Sequence, residues 1–296
     1  MNALIRTAFV GNSVNFDGYR RAISRLDEDF AFAGAWFPAD KPENYQETEF
    51  KSLEEMLANC DAVLLFGDKM KRKYVADIIK ACKHIFVDEY GSMLNADVKA
   101  MSRLAAEAEI IAQVSFPKMY FWGIEELIEE YPRIRNIFFS REYQYHQHKQ
   151  ETEVIAEILS SIKLVKDEII RAHQSRLPLI SRRTEMQIIN LEFKTGASAN
   201  ITSIPLGFFE RHDLRIVAEK SLAYLDLRKR EWHSLKPAKA ITGNLIKGLA
   251  GLPEVGDVEQ FELQDFVRSI REKTNPFISL NDMLTLHNCL KLLNGE

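Results

Sequence analysis

Three stretches of this 296-residue chain carry side chains whose type and spacing can do chemistry. The first is Asp88-Glu89-Tyr90-Gly91, two carboxyls and a phenol directly after the apolar run Ile85-Phe86-Val87. Such a run reads as a parallel strand covered on both faces. The carboxyl end of such a strand is where open α/β sheets place their ligands. The second is Gly11-Asn12-Ser13-Val14-Asn15-Phe16, a turn that follows a first strand expected from Ile5 to Val10. Gly11 stands at the first glycine of a dinucleotide-binding G-x-G-x-x-G, with Ser13 and Phe16 at the other two. Ser13 can donate its hydroxyl to a phosphate, whereas Phe16 is bulky where helix and strand normally close up. A nucleotide site and a plain structural turn are both compatible with this pattern. The third is His146-Gln147-His148. In an extended segment both imidazoles point the same way, so they can contact a substrate or offer two metal ligands. No carboxylate or third histidine is fixed beside them, and substrate contact rather than metal is the reading adopted.

Other polar residues support these stretches less directly. Lys69, Lys71, Arg72 and Lys73 open a helix after Gly67-Asp68. Cations there oppose the helix macrodipole, so the cluster suits an anionic ligand or is simply solvated. Lys41 can face a 2′-phosphate or remain a solvated loop lysine. Lys118, after Phe116-Pro117, can meet a ligand or lie on the surface. His173, His212, His233 and His287 read as isolated and structural. Cys60, Cys82 and Cys289 are scattered and odd in number, as expected of free thiols in a reducing cytoplasm.

The elements that must position these residues follow in order. Strands are expected over 5–10, 30–37, 61–66, 84–87 and 110–115. Helices between them are expected over 19–26, from a Ser52/Glu55 capping box, over the basic segment to Ala81, and after an Asn95 N-cap. The second half reads as a strand over 131–140, a helix over 151–166, and an alternating hairpin of 185–193 and 197–204 about Lys194-Thr195-Gly196. Strands over 214–218 and 223–227 follow, then a glycine-rich stretch over 236–257 taken as a lid or oligomer contact. A helix over 258–273 and a terminal helix after Pro276-Phe277 complete the chain.

Composition sets the outer limits. The 46% apolar and 28% charged content is that of an ordinary soluble protein. A formal net charge of -4 argues against a nucleic-acid partner. No run approaches the ~20 apolar residues of a membrane helix, so no membrane partner and a cytoplasmic location are expected.

Taken together, the degenerate glycine turn, the Ser52-Leu53-Glu54-Glu55 helix and Cys82-Lys83-His84-Ile85-Phe86-Val87-Asp88-Glu89-Tyr90 resemble the Gfo/Idh/MocA oxidoreductases. That family includes glucose–fructose oxidoreductase and inositol dehydrogenase. Its recurring segment reads approximately G-K-H-V-x-x-E-K-P. Lys83, His84 and Glu89 match it, while Tyr90 holds the position of the catalytic lysine and Gly91 that of the proline. The Glu-Tyr pair is also similar to that of biliverdin reductases. A family helix with G-x-x-x-D-x-x-x-H aligns with residues 151–166, placing Glu153, Glu157 and Ser161 at its three positions.

The resemblance implies an α/β protein. A Rossmann-type parallel-sheet domain is expected over residues 1–118, then an α+β domain with a large, mostly antiparallel open sheet over 119–296. It implies an NAD(P)-dependent oxidoreductase acting on a sugar derivative or other small carbonyl or alcohol, with altered catalytic motifs. Gly11, Asn12, Ser13, Asn15, Phe37 and Gly67 are its cofactor-binding candidates, with NADP slightly favoured through Lys41. Tyr90, Glu89 and Glu157 are the catalytic candidates. Lys118, His146, His148 and Ser161 are the substrate contacts for a small molecule in the interdomain cleft. A homodimer or larger homo-oligomer is expected. The alternative is a non-catalytic homologue that binds no cofactor and keeps the cleft for ligand sensing or protein assembly.

Overall fold

The structure is a computed structural model that describes residues 3–11, 16–38, 41, 45–88, 98–143, 150–179, 185–205, 210–235, 245–248 and 258–295. The chain forms two compact units, Met1–Tyr120 with Pro253–Leu284, and Phe121–Leu252 with Thr285–Glu296.

The first unit alternates strand and helix: β1 (Ile5–Val10), α1 (Phe16–Arg25), β2 (Phe30–Trp36), α2 (Leu53–Asn59), β3 (Ala62–Leu65), α3 (Asp68–Lys80), β4 (His84–Val87), α4 (Val98–Glu107), β5 (Ala112–Val114) and, at its end, α5 (Pro117–Phe121). The five strands lie in the order β2-β1-β3-β4-β5 and every pairing is parallel. All four residues of β3 are buried, as required of a strand covered on both faces. From β1 the chain runs to β2 on one side and β3 lies on the other, which makes the β1/β3 boundary a topological switch point. α1 begins at Phe16, earlier than the expected Tyr19, because Phe16, Tyr19, Ala22 and Ile23 form one buried face. α2 opens as expected: the Glu55 N–H donates to Ser52 Oγ at 3.2 Å. The Glu55 carboxylate reaches back to the Lys51 N–H at 2.8 Å, one residue before the cap.

The second unit contains α6 (Ile124–Glu130), β6 (Ile134–Glu142), α7 (Gln150–Val165), β7 (Ile169–Pro178), β8 (Glu185–Phe193), β9 (Ser198–Ile204), β10 (Arg211–Ala218), β11 (Ser221–Asp226), β12 (Glu231–Leu235) and β13 (Leu245–Gly248). These strands form one sheet in the order β13-β12-β11-β10-β6-β9-β8-β7. Only the β6–β9 pairing is parallel. Three strands, β7, β12 and β13, were not foreseen. β7 is an edge strand whose residues are all at least partly exposed, so it lacks the alternation that reveals a half-buried strand. β13 lies within the glycine-rich stretch expected to be a lid or oligomer contact, and it pairs with β12.

Two helices close the chain, α8 (Val258–Glu272) and α9 (Leu280–Asn294). α8 buries Val258, Leu263, Phe266 and Val267 together with the polar Glu262, Asp265 and Ser269. It approaches α1 so closely that a Cβ on Gly18 would lie 2.9 Å from Glu259 Oε1. Ser279 starts α9 through mutual bonds with Asp282. No described helix is long and apolar enough to cross a membrane.

Candidate functional site

At the carboxyl end of the parallel sheet, the strands flanking the switch point each finish on a glycine in left-handed backbone: Gly11 at φ 78° and Gly67 at φ 85°. A side chain there is disfavoured. The Gly11 N–H donates to the Trp36 carbonyl at 3.0 Å. The Gly67 N–H donates to the buried Asp88 carboxylate, at the tip of β4, at 3.2 Å. Asn12, Ser13, Asn15, Glu89 and Tyr90 lie outside the described residues, as does the Asn95 cap.

The tip of β2 has a different character. Phe37 packs against Phe16 with ring centroids 5.9 Å apart and against Tyr45 at 4.8 Å. Phe16 also meets Phe9 and Phe66 and is buried, so its bulk goes into the core beneath α1. Lys41 is engaged by Glu49 at 2.5 Å and sits 5.7 Å from the Tyr45 ring centroid. The N–H groups of Gly11 and Gly67 are thus engaged within the protein, by a carbonyl and by a carboxylate. Around the β2 tip, where an acid would bind the ribose hydroxyls, the described residues offer aromatic surface. Of the cofactor-binding candidates read from the sequence, Gly11, Gly67 and Phe37 are the described ones.

In the second unit, α7 carries Glu153, Glu157 and Ser161 at four-residue spacing, on one helical face. Strand register assembles a polar row beneath it. Arg141 of β6 is the direct partner of Ser203 on β9 and of His212 on β10. The Arg141 guanidinium donates to Ser203 Oγ at 2.9 Å. Its Nε lies 3.8 Å from Glu157 Oε1, and its Nη1 lies 3.9 Å from Glu153. The Glu157 carboxylate is wholly buried, with Oε1 2.8 Å from His212 Nε2. Neither of those two atoms completes an aligned hydrogen bond within the protein. The edge of the Trp122 ring closes over His212 at 5.0 Å.

His212, read from sequence as isolated and structural, is in fact the imidazole beside Glu157. Ser161 is buried and gives its hydroxyl to the Glu157 carbonyl at 2.8 Å, a bond within its own helix. Lys118 stands half-buried on α5. His146 and His148 lie outside the described residues. Among the described residues no three His, Cys, Asp or Glu side chains gather as metal ligands.

Comparison with solved structures places this arrangement among known folds. UDP-N-acetylglucosamine 3-dehydrogenase from Acidithiobacillus ferrooxidans superimposes with a TM-score of 0.80 at 14% identity, over 99% of this chain and 98% of that one. The two chains share one fold from end to end. Levoglucosan dehydrogenase, solved in complex with NADH, matches with a TM-score of 0.74 at 13% identity over 98% of both chains. Aldose–aldose oxidoreductase from Caulobacter crescentus matches at 0.71 and 14%, over 98% of this chain and 96% of that one. No protein-family model and no curated protein matches the sequence. The dehydrogenase fold thus holds two candidate centres in this chain: the Gly11/Gly67 switch point, and the Arg141–Glu157–His212 row.

Sequence reasoning missed Arg141 and His212. The signal available was the alternation of β6 and β10, in which a charged or imidazole side chain falls at a position that should face the helix layer.

Proposed function

We propose that the protein is an NAD(P)-dependent oxidoreductase of the Gfo/Idh/MocA type, acting on a sugar derivative or another small carbonyl or alcohol through altered catalytic motifs. What carries this reading is the pair of left-handed glycines at the switch point, within a fold shared along nearly the whole chain with sugar dehydrogenases. A bound nicotinamide would supply the hydride acceptor or donor. The chain must then manage the proton of the substrate hydroxyl, which needs a group able to hold it in the transition state. Tyr90 and Glu89 are assigned that exchange. Glu157 is enclosed by His212 and Arg141, so its role is to hold those two cations or donors in place rather than to meet substrate. His146, His148 and Lys118 are assigned to substrate contact, and the working form is a homo-oligomer.

The test is turnover with a panel of nucleotide sugars and free sugars, following nicotinamide absorbance with both cofactors. Tyr90→Phe is expected to lower kcat at least about 100-fold, the scale of a lost acid–base group, with little change in cofactor affinity. Unchanged turnover would remove Tyr90 from the chemistry.

A second reading, a non-catalytic ligand-binding homologue, is favoured by one observation. The Phe16–Phe37–Tyr45 ring cluster occupies the side of the site where cofactor recognition by an acid is expected. Absence of turnover together with retained binding of a sugar nucleotide would support it.

A further inference from the structure

Inside the first unit, three oxygens that the proposed chemistry does not use form a closed ring. Tyr19 Oη, on α1, lies 2.8 Å from Ser115 Oγ and 2.5 Å from Glu262 Oε2 on α8. Ser115 Oγ lies 3.1 Å from the same carboxyl oxygen. All three side chains are buried: Tyr19 is 1% exposed, Ser115 3% and Glu262 0%. The protons of this ring can be counted. Each of the three edges needs one hydrogen, and the two hydroxyls bring one apiece. An ionised carboxylate brings none, which leaves two oxygens at hydrogen-bond distance with only lone pairs between them. In a low-dielectric interior such an unmade bond is costly. A carboxyl proton on Glu262 closes the ring.

Glu262 Oε1 accepts the Phe116 N–H at 2.7 Å; that bond and those from Tyr19 and Ser115 favour the ionised form, and burial outweighs them. The titratable groups facing the carboxyl and its phenol partner are Tyr19 from α1, Glu259 from α8 itself and Asp88 from the tip of β4. None of them brings a positive charge.

We propose that Glu262 is a proton-operated latch: neutral in the resting fold, it fastens α8 to α1 and to the β5–α5 junction, and its ionisation in alkaline solution opens the oxygen ring and loosens α8. The inference is independent of any oxidoreductase activity. Burial pushes the Glu262 carboxyl up to about 8, against an ordinary value of 4.5. Between those values the folded protein holds a proton that the unfolded chain has lost. The contribution of Glu262 to stability therefore falls as pH rises through that window, and levels off above it. α1 begins directly after the Gly11 turn, so the latch acts on the element that presents the candidate cofactor turn.

The experiment compares melting midpoints of the wild type and Glu262→Gln from pH 6 to 9.5, alongside the infrared carbonyl band of protonated carboxyls in wild type. The expected result is a wild-type midpoint that drops by several degrees relative to the variant between pH 6 and 9. A protonated-carboxyl band is expected at pH 7 and should bleach with a midpoint near 8. Parallel pH profiles for the two proteins would overturn the proposal. So would the absence of that band at pH 7, a result that stands even if the variant does not fold.

Discussion

Burying a carboxylate, a guanidinium and an imidazole together costs several kcal/mol of desolvation per ion before their attraction repays it. The row under α7 does this with Glu157, Arg141 and His212. Removing one member leaves the others uncompensated in the interior. Glu157→Ala is therefore expected to lower stability by roughly 3–5 kcal/mol, measured by urea denaturation with an unchanged m-value. A loss under about 1 kcal/mol would mean that water already reaches Arg141 and His212. Of this row, sequence made Glu157 and Ser161 legible, since four-residue spacing alone puts them on one helical face. Arg141 and His212 were not legible. Their convergence depends on the β6–β10 register, which pairs them directly and which no local pattern specifies.

At the level of elements, the parallel strands were legible almost residue for residue, because β3 is wholly apolar and β1 and β4 end on the apolar runs Ala8-Phe9-Val10 and Ile85-Phe86-Val87. Their edge treatment was not. Gly34 in β2 has φ +139°, and a Cβ there would lie 2.5 Å from the Thr48 carbonyl oxygen and 3.0 Å from the Phe50 ring. It lets the segment around Thr48 run against the strand, where Ala35 donates to Thr48 O and accepts from the Phe50 N–H. Gly34→Ala should therefore cost at least about 1–3 kcal/mol, the scale of a strained backbone position. The readout is a lowered melting midpoint, with proteolysis appearing first around residues 45–50. A variant as stable as the wild type would show that this edge contact is dispensable. β7, β12 and β13 all escaped the sequence reading, and β7 and β13 are the two edges of their sheet. Edge strands need neither a buried face nor strict alternation.

On the scale of the whole chain, the succession of a parallel sheet and a broad antiparallel one was legible because periodicity and strand spacing repeat through many residues. The return of α8 to α1 was not, since it rests on contacts distant in sequence: the ring of Tyr19, Ser115 and Glu262, and the core that Leu263, Phe266 and Val267 share with Phe16, Tyr19 and Ile23. The cofactor question also belongs to this scale. The switch point carries the left-handed Gly11 and Gly67, while the tip of β2 presents Phe37 and Tyr45 rings. The measurement that bears on it most directly is calorimetric titration with NADH and NADPH, with melting curves at saturating ligand. A dissociation constant in the micromolar range for at least one of the two is predicted. At one hundred times that constant, linkage adds about 2.7 kcal/mol of stability and raises the melting midpoint by several degrees. No heat and no shift with either nucleotide at millimolar concentration would contradict the account.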